Sequence, residues 1–308
     1  MLTKQKNFVS AVIYTRNAES TIKEFLINLY YDVLVKYFED FEIICVNDAS
    51  TDRTTEILKD LAKELKSCAF TILNMSYHQG LESSMSAGMD LAIGDFVIEF
   101  DSIVIDYSPN LIIEAYERTL QGFDIVSCGK GSVRTSSRLF YMVFNRFSGA
   151  EYVLRSESFR VISRRGINRV NSMSTSILYR KAAYAKSGLK LDYIAYEGSA
   201  NDLQLLKHPQ DTAINALMLF SDVAYRLSFM FTFLMMIVTI AVTAYVLVIG
   251  MLGLPIAGWA TTMLLISGLF FALFVILAII IKYLSLILKL IFVRQRYVIE
   301  SIEKIKSI

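Results

Sequence analysis

The amino-acid sequence predicts an α/β domain built on a mostly parallel sheet, followed by amphipathic interfacial helices and two C-terminal transmembrane helices. In residues 8–125, β-rich stretches alternate with stretches whose apolar residues have helical spacing. That alternation is typical of a parallel sheet covered by helices on both faces. Between Arg226 and Lys282 no side chain is charged, whereas one bilayer-spanning helix needs roughly 20 apolar residues. The chain therefore combines a sheet domain with a membrane region.

The α/β region contains five predicted strands with four helices between them. The strands are FVSAVIYT, FEIICVND, FTILNM, DFVIEFD and FDIVSC. The helices are ESTIKEFLINLYYDVLVKYF, DRTTEILKDLAKELK, LESSMSAGMDLAI and SPNLIIEAYERTLQ. Ligands of such sheets bind outside the carboxyl ends of the strands. We therefore expect the site where polar and acidic residues gather, at Tyr14–Asn17, Asn47–Asp52, Ser76–Gly80 and Asp101–Ile105.

The chain beyond residue 130 is less regular and more basic. LFYMVFNRF and DTAINALMLFSDVAYRL have the pattern of amphipathic helices that lie at a membrane surface. The uncharged interval is long enough for two spans, which we place near Leu227–Gly250 and Trp259–Ile281. The remaining stretch, YLSLILKLIFVRQRYVIESIEKIKSI, is predicted to be mostly helical.

The distribution of basic residues predicts the orientation in the membrane. Lysines and arginines follow the second span, whereas the turn between the spans carries none. By the positive-inside bias, the α/β domain and both termini lie in the cytoplasm, and the turn faces out. The N-terminus lacks the apolar length of a signal peptide. We therefore expect a multi-pass protein of the inner (plasma) membrane.

The net charge argues against nucleic-acid binding, and the cysteine spacing indicates the redox compartment. A net charge of +2 provides no global positive field for binding nucleic acid. Cys45, Cys68 and Cys128 have neither paired nor metal-ligand spacing, which fits a reducing compartment.

Two motifs at strand ends suggest a nucleotide site. VNDASTD, residues 46–52, ends a strand and opens a helix, where backbone N–H groups suit a phosphate or nucleotide. The alternative for this motif alone is a simple helix cap by Ser50 or Asp52. GDFVIEFD, residues 94–101, follows about fifty residues later and ends in a carboxylate that could hold a divalent ion.

Seven stretches carry a resemblance to a known family. They are SAVIYTRNAESTI, FEIICVNDASTDRTTEIL, SAGMDLAIGDFVIEFD, FDIVSCGK, SRLFYMVFNR, SFRVISRR and GWATTMLLISGLFFALFVILAIIIKYL. In this order the chain resembles family 2 inverting glycosyltransferases of the Rossmann-like GT-A fold. It is most similar to the polyprenyl-phosphate type, such as bactoprenol glucosyltransferases and dolichol-phosphate mannosyltransferases. We accordingly expect a GT-A domain (1–165), a juxtamembrane helical region (166–226), two transmembrane helices (227–281) and a cytoplasmic helical tail (282–308).

The resemblance implies a reaction and its residues. A sugar would move from a nucleotide-sugar donor, by default a UDP-sugar, to a polyprenyl (undecaprenyl) phosphate, and the product would serve cell-surface polysaccharide modification. The resemblance also implies that the protein is a homotetramer. Catalytic roles are implied for Asp101, Arg138 and Arg160. Nucleotide-sugar contacts are implied for six residues: Tyr14, Arg16, Asn47, Asp48, Ser102 and Lys130. Asp101 would also hold Mg²⁺ or Mn²⁺ against the departing diphosphate.

The sequence departs from the family pattern at several carboxylates. Ile103 stands where the second Asp of Asp-x-Asp is usual, and Asn47 stands where an Asp is usual. Glu99 lies two residues before Asp101 and therefore on the same face of the strand, which makes it the second candidate metal ligand. Asp106 and Glu157 are further candidates from nearby loops.

These departures leave two classes of function open. The first is an active, divergent glycosyltransferase anchored in the membrane. The second is a catalytically inactive relative that binds nucleotide sugar or lipid, or scaffolds a partner. A transporter is disfavoured, because two spans without an intramembrane charge offer no obvious pathway.

Overall fold

The computed structural model describes residues 4–65, 68–131, 142, 153, 155–173, 179–197 and 297–306, with short runs and single positions between 230 and 287. The chain divides into two compact units. One comprises residues 1–145, 150–212 and 294–308, and the other comprises 146–149 and 213–293. The first unit contains the sheet and all the contacts described below.

The described residues form one eight-stranded sheet. Its strands are β1 Val9–Thr15, β2 Phe41–Asn47, β3 Ala69–Met75, β4 Phe96–Phe100, β5 Ile125–Lys130, β6 Phe159–Ser163, β7 Leu191–Tyr196 and β8 Ile299–Lys306. Their order across the sheet is β7-β5-β6-β4-β1-β2-β3-β8. Strands β3, β2, β1 and β4 run parallel, whereas β6 is antiparallel to both of its neighbours and β8 is antiparallel to β3. The predicted mostly parallel α/β sheet is confirmed.

Helices in this unit cover both faces of the sheet. They are α1 Ile22–Asn28, α2 Val35–Tyr37, α3 Thr54–Glu64, α4 Leu81–Leu91, α5 Asn110–Leu120, α6 Arg164–Met173 and α7 Arg180–Ala185, with a π-helical stretch Leu29–Leu34 joining α1 to α2. One apolar cluster packs α1, α3 and α5 against the sheet, and a second packs α4, α6 and α7 against the other face. All seven residues of β2 are buried, as expected of a parallel strand covered on both sides.

The C-terminal tail differs from the prediction. Residues 299–306 form β8 and pair antiparallel with β3, instead of continuing a helix. Ile299, Ile302 and Ile305 recur every third residue, which imitates helical spacing. Pairing prevails because β3 would otherwise be an edge with unpaired N–H and C=O groups. Lys59 on α3 adds an ion pair to Glu303 at 2.9 Å.

The predicted boundary at residue 165 is also too early. Strand β7 lies within the region expected to be juxtamembrane, yet it pairs in parallel with β5 as part of the sheet. Helices α6 and α7 contribute to the second apolar cluster through Ile167, Val170 and Tyr184. The sheet unit therefore extends past residue 165, because β5 still needs a partner on its outer side.

The membrane predictions fall largely outside the described residues. This applies to the spans near 227–250 and 259–281, and to the interfacial helices at 139–147 and 211–227. Those positions between 230 and 287 that are described are helical. Within the described part of the chain, no helix has both the length and the apolar character needed to cross a bilayer.

Candidate functional site

The carboxyl ends of β1 to β4 meet at one edge of the sheet, as predicted. The clearest feature of this edge is the fully buried carboxylate of Asp48, which directly follows β2. Its Oδ1 accepts a hydrogen bond from the Gln79 N–H at 2.8 Å, and its Oδ2 accepts one from the Gly80 N–H at 3.0 Å. Nδ1 of His78 also lies 2.8 Å from Oδ2. Asp48 thus organises the loop that follows β3.

Tyr14 and Asp48 form a pair across two strand ends. The Tyr14 hydroxyl donates to Oδ2 of Asp48 at 2.9 Å. Burial raises the pKa of Tyr14, and the neighbouring Asp48 charge raises it further, so the hydroxyl remains a donor. Asp48 was expected to contact the nucleotide directly. In this structure both of its oxygens accept hydrogen bonds from protein groups, so Asp48 shapes the loops that border the edge, and its contact with a nucleotide stays a prediction.

Asn47 is likewise committed to the protein. Its Nδ2 donates to Oγ1 of Thr55 and to Oδ1 of Asn74, both at 2.9 Å, and its Oδ1 accepts from the Ser50 N–H at 3.1 Å. The residue is buried. Asn47 therefore joins β2 to β3 and to the start of α3, and its contact with a nucleotide stays a prediction.

Arg16, at the end of β1, has spare hydrogen-bonding capacity. Its Nη1 is buried and has no hydrogen-bond partner among the described residues. Two strained positions flank it: Asn17 has φ of 46° and Ala49 has φ of 50°. Left-handed backbone at residues other than glycine is uncommon and concentrates at functional sites. The ends of β1 and β2 thus combine backbone strain with an unsatisfied cationic donor.

A buried ionic cluster lies at the end of β4. Glu99 is fully buried, and the Asp101 side chain is 10% exposed. Arg160 donates from Nη1 to Oε2 of Glu99 and from Nη2 to Oδ2 of Asp101, both at 2.7 Å. Arg180 donates from Nη2 to Oδ1 of Asp101 at 2.7 Å and contacts Oε1 of Glu99 through Nη1. All four oxygens of the two carboxylates therefore face guanidinium groups.

Two further carboxylates complete this cluster. Glu157 accepts from Nε of Arg160 at 3.0 Å, and Glu82, in the first turn of α4, accepts from Nε of Arg180 at 2.8 Å. Arg160 also lies over the ring of Tyr184, 5.3 Å from its centroid. We call Glu82, Glu99, Asp101, Glu157, Arg160 and Arg180 the ionic cluster.

The fold explains how these groups meet. Glu99 and Asp101 are two residues apart along β4, so both project to one face, as predicted. Arg160 is the residue of β6 that pairs with Glu99 in the antiparallel ladder. Arg180 enters from the start of α7, 79 positions from Asp101. The sequence analysis identified Glu99, Asp101 and Arg160. It missed Arg180 and Glu82, which belong to no motif.

Burial and charge act in opposite directions on the pKa values of this cluster. Burial raises the pKa of the Asp101 carboxyl, and the Arg160 charge works against that rise. Burial would lower the pKa of Arg160, but the charges of Asp101 and Glu157 outweigh it and raise the value. Arg160 is therefore permanently charged, and its charge must be matched by the carboxylates around it.

The predicted ligands of Mg²⁺ or Mn²⁺ do not form a metal site in this arrangement. Each oxygen of Glu99 and Asp101 is engaged by Arg160 or Arg180, and the positive charges of these arginines would repel a divalent ion bound beside them. Among the described residues no group of three potential ligands is arranged around a common point. Strand spacing placed the two carboxylates together but could not reveal that the arginines would share them; their role as ligands of Mg²⁺ or Mn²⁺ stays a prediction.

The other predicted site residues that the structure describes have partners outside the ionic cluster. Lys130, at the end of β5, forms an ion pair with Asp106. Ser102 accepts from the N–H of Val104 at 3.1 Å within its own loop. Arg164, the first residue of α6, donates to the backbone carbonyls of Ala92 and Gly94. Arg138 lies outside the described residues.

Sequence comparison links this chain to curated glycosyltransferases. It is 28% identical over 196 residues to an uncharacterized glycosyltransferase of Synechocystis, which covers 61% of this chain and 60% of that protein. It is 28% identical over 198 residues to the prophage bactoprenol glucosyl transferase homolog of Escherichia coli, with 61% and 62% covered. It is 29% identical over 209 residues to the undecaprenyl-phosphate 4-deoxy-4-formamido-L-arabinose transferase of Pectobacterium atrosepticum, with 64% and 62% covered. The matches thus span about 60% of the length of these relatives.

Two solved structures align with part of the chain. Glucosyl-3-phosphoglycerate synthase from Mycobacterium tuberculosis, in complex with UDP, has 13% identity and a TM-score of 0.49 over 69% of this chain and 78% of that one. A mannosyltransferase from Pyrobaculum calidifontis, in complex with GDP-Man and Mn²⁺, has 17% identity and a TM-score of 0.47 over 62% and 55%.

A family model described as Glycosyl transferase family 2 matches residues 10–188. This interval is more than half of the chain and runs from β1 through α7. It includes the loops at the carboxyl edge and every member of the ionic cluster. The chain therefore belongs to glycosyl transferase family 2.

Proposed function

We propose that this protein transfers a sugar from a nucleotide-sugar donor, a UDP-sugar in the first instance, to a polyprenyl phosphate. Family membership supports sugar transfer as the reaction class. Two of the curated relatives are named for transfer to bactoprenol or to undecaprenyl phosphate, which supports a polyprenyl-phosphate acceptor. The product would be a lipid-linked sugar for cell-surface polysaccharide modification.

The observation that carries this proposal is the unsatisfied Nη1 of Arg16 at the carboxyl edge. A buried guanidinium nitrogen without an acceptor is costly. Paired hydrogen bonds from a guanidinium suit phosphate oxygens. A diphosphate placed beside the ends of β1 and β2 would satisfy this donor, and the strained turns at Asn17 and Ala49 border the same place.

The proposed reaction inverts the configuration at the anomeric carbon of the sugar. An oxygen of the acceptor phosphate attacks that carbon and forms a new C–O bond, while the bond to the donor diphosphate breaks and its electron pair leaves with the nucleoside diphosphate. The acceptor oxygen is already ionised, so little base catalysis is needed. The protein's contribution is to orient the two substrates and to neutralise the leaving group. Arg16 is assigned to the second task.

The location and assembly are part of the same proposal. Spans near 227–250 and 259–281 would anchor the protein in the inner (plasma) membrane, with the sheet unit and both termini in the cytoplasm. There the acceptor phosphate, held at the bilayer surface, would reach the carboxyl edge. Assembly into a homotetramer is proposed as well.

The test uses membranes that contain the full chain, undecaprenyl phosphate and a panel of labelled nucleotide sugars. We expect a lipid-linked product from at least one donor, and loss of that product in Arg16→Met. Arg118→Met is the matched control, because Arg118 pairs with Glu114 and Asp192 away from the carboxyl edge. Absence of product for every donor, with an active relative run in parallel, would contradict the proposal.

A second candidate is a relative that binds a nucleotide sugar without turning it over. The observation that favours it is that arginines engage both Glu99 and Asp101. Nucleoside diphosphate binding to the purified protein, without transfer to lipid in the assay above, would support this candidate over the first.

A further inference from the structure

The C-terminal segment 297–306 contacts the loop that follows β3, in addition to extending the sheet. Strand β8 pairs with β3 from Ala69 to Met75, and the register shifts between Asn74 and Met75. At that point Nδ2 of Asn74 donates to Oγ of Ser301 at 3.0 Å and to Oε1 of Glu303 at 3.1 Å. The segment is therefore joined to the end of β3 by side chains as well as by backbone.

Gln79 extends this pairing beyond the end of the strand. Its Nε2 donates to the carbonyl of Val298 at 2.6 Å, and its Oε1 accepts from the Val298 N–H at 2.8 Å. The Gln79 amide thus imitates one residue of a neighbouring β-strand. Ser76 donates to the same carbonyl from its N–H and its hydroxyl, both at 3.2 Å. Val298 is consequently a single anchor for both ends of the loop 76–80.

The same loop also holds Asp48. The backbone N–H of Gln79 and that of Gly80 both donate to the Asp48 carboxylate. Asp48 in turn accepts from the Tyr14 hydroxyl. The backbone of Gln79 thus faces the carboxyl edge, while its side chain reaches Val298.

We infer that Gln79 is a positioning residue through which the C-terminal segment fixes the donor-binding loops. It sets the place of two N–H groups that anchor Asp48, and Asp48 sets the position of Tyr14 beside Arg16. This inference rests on the proposed function for the identity of the ligand. It adds that the end of the chain, which follows the uncharged region 227–281, takes part in forming the site.

The test replaces each partner in the full chain. Gln79→Met keeps the length of the side chain but removes both hydrogen bonds, and Val298→Pro removes the N–H that donates to Gln79. Amide hydrogen exchange at Gln79 and Gly80 reports the loop position directly. Binding of UDP, GDP, CDP or dTDP, measured by calorimetry, reports the effect on the site.

We expect Gln79→Met to accelerate exchange at both amides and to weaken binding of the preferred nucleotide about tenfold, the loss expected for two hydrogen bonds. Val298→Pro should add less to this loss in the Gln79→Met background than in the wild type, because the two residues act as one unit. Lys59→Met is the control: it removes the Glu303 ion pair of β8 but leaves Gln79 and Val298 in place, so both readouts should match the wild type.

The possible failures are distinguishable. Unchanged amide exchange in Gln79→Met, or nucleotide binding equal to that of the wild type, overturns the inference while leaving the proposed function intact. If the wild type binds none of the four nucleotides, the proposed function fails, and the exchange rates still decide whether Gln79 positions the loop. Equal effects of Lys59→Met and Gln79→Met would also overturn the inference about Gln79, since the loss of any β8 contact would then be enough to weaken nucleotide binding.

Discussion

The Nη2 atom of Arg180 donates a 2.7 Å hydrogen bond to Oδ1 of Asp101. On the other oxygen of Asp101, Arg160 makes an equivalent bond. Both arginines are almost completely buried, so these bonds form where water competes little. Asp101 therefore shares its charge with two cations, and a divalent ion would compete with both of them for its oxygens.

Removing Arg180 should increase the affinity for a divalent cation. Arg180→Met leaves Glu82, Glu99 and Asp101 with fewer cationic partners, and free carboxylate oxygens are the ligands that Mn²⁺ prefers. We expect Mn²⁺ to bind the variant at least tenfold more tightly than the wild type, as measured by electron paramagnetic resonance without nucleotide. Arg118→Met should bind as the wild type does. Tight binding to the wild type that Arg180→Met weakens would show that the cluster accommodates the metal as it stands.

Removing Arg160 should destabilise the sheet unit strongly. Arg160→Met removes one of the two guanidinium groups that contact Glu99, which is fully buried, and the guanidinium group that pairs with Glu157. Breaking such a buried network costs about 3–5 kcal/mol. The control is Arg53→Met: Arg53 is 78% exposed and pairs only with Glu56 among the described residues, so its loss should cost at most about 1 kcal/mol. Chemical unfolding of both variants compares the two values, and similar losses would contradict the role given to the cluster.

Ala49→Gly should stabilise the protein. Ala49 has φ of 50°, where a Cβ atom costs about 1–2 kcal/mol relative to glycine. Part of this gain is offset because glycine loses more conformational freedom on folding, so we expect a net gain of about 0.5–1 kcal/mol in unfolding free energy. Ala69→Gly, at an exposed position of β3, should have the opposite sign. A loss of stability in Ala49→Gly would mean that the left-handed turn is not strained.

Asp52 should contribute stability that depends on pH. Burial alone would raise the pKa of Asp52, but hydrogen bonds from Thr54 and from the Glu19 N–H outweigh it and lower the pKa below its ordinary value. Because folding favours the ionised form, the contribution is complete above the ordinary value and is lost as pH falls through the lower folded value. Asparagine can cap a helix as well as aspartate, so Asp52→Asn removes mainly the charge, and we expect it to cost about 0.3–1 kcal/mol at neutral pH.

That difference should shrink as the pH falls below the ordinary carboxyl range. Urea unfolding of the two proteins near neutral pH and again in strong acid provides the measurement. Asp60→Asn is the control, since the Asp60 side chain is 80% exposed. A cost for Asp52→Asn that is the same at both pH values would assign the effect to packing instead of charge.

Gly129 and Gly131 should respond differently to the same change. A Cβ atom on Gly129 would lie 1.9 Å from the backbone oxygen of Ser156, whereas nothing lies within 4 Å of one on Gly131. The backbone cannot move aside as a flexible side chain can, so we expect Gly129→Ala to lower the unfolding free energy by about 1–3 kcal/mol. Gly131→Ala should be neutral. Thermal unfolding of the two variants is the measurement, and equal midpoints would contradict the close approach of Gly129 to residue 156.

Much of the fold could be predicted from local pattern. The strands β1 to β5 are uninterrupted apolar or β-rich runs, and the intervening helices show helical spacing, so each element is encoded within its own residues. Strand β8 could not be predicted in this way. Its isoleucines repeat every third residue, and its strand conformation depends on the free edge of β3, more than 220 positions away.

The candidate site divides in the same manner. The motifs placed Tyr14, Arg16, Asp48 and Asp101 at one edge, because parallel strands align their carboxyl ends. Which oxygens remain free at that edge could not be predicted. Asp48 is engaged by N–H groups of the loop after β3, and that loop has no regular pattern.

Periodicity and motif order are properties of neighbouring residues, so they were enough to predict the α/β class, the edge where the polar residues gather and the resemblance to family 2. The contacts of Arg180 with Asp101 and of Val298 with Gln79 form only in the folded sheet. These pairs join residues 79 and 219 positions apart. Their contacts depend on how the sheet orders its strands, and local spacing carries no record of that order.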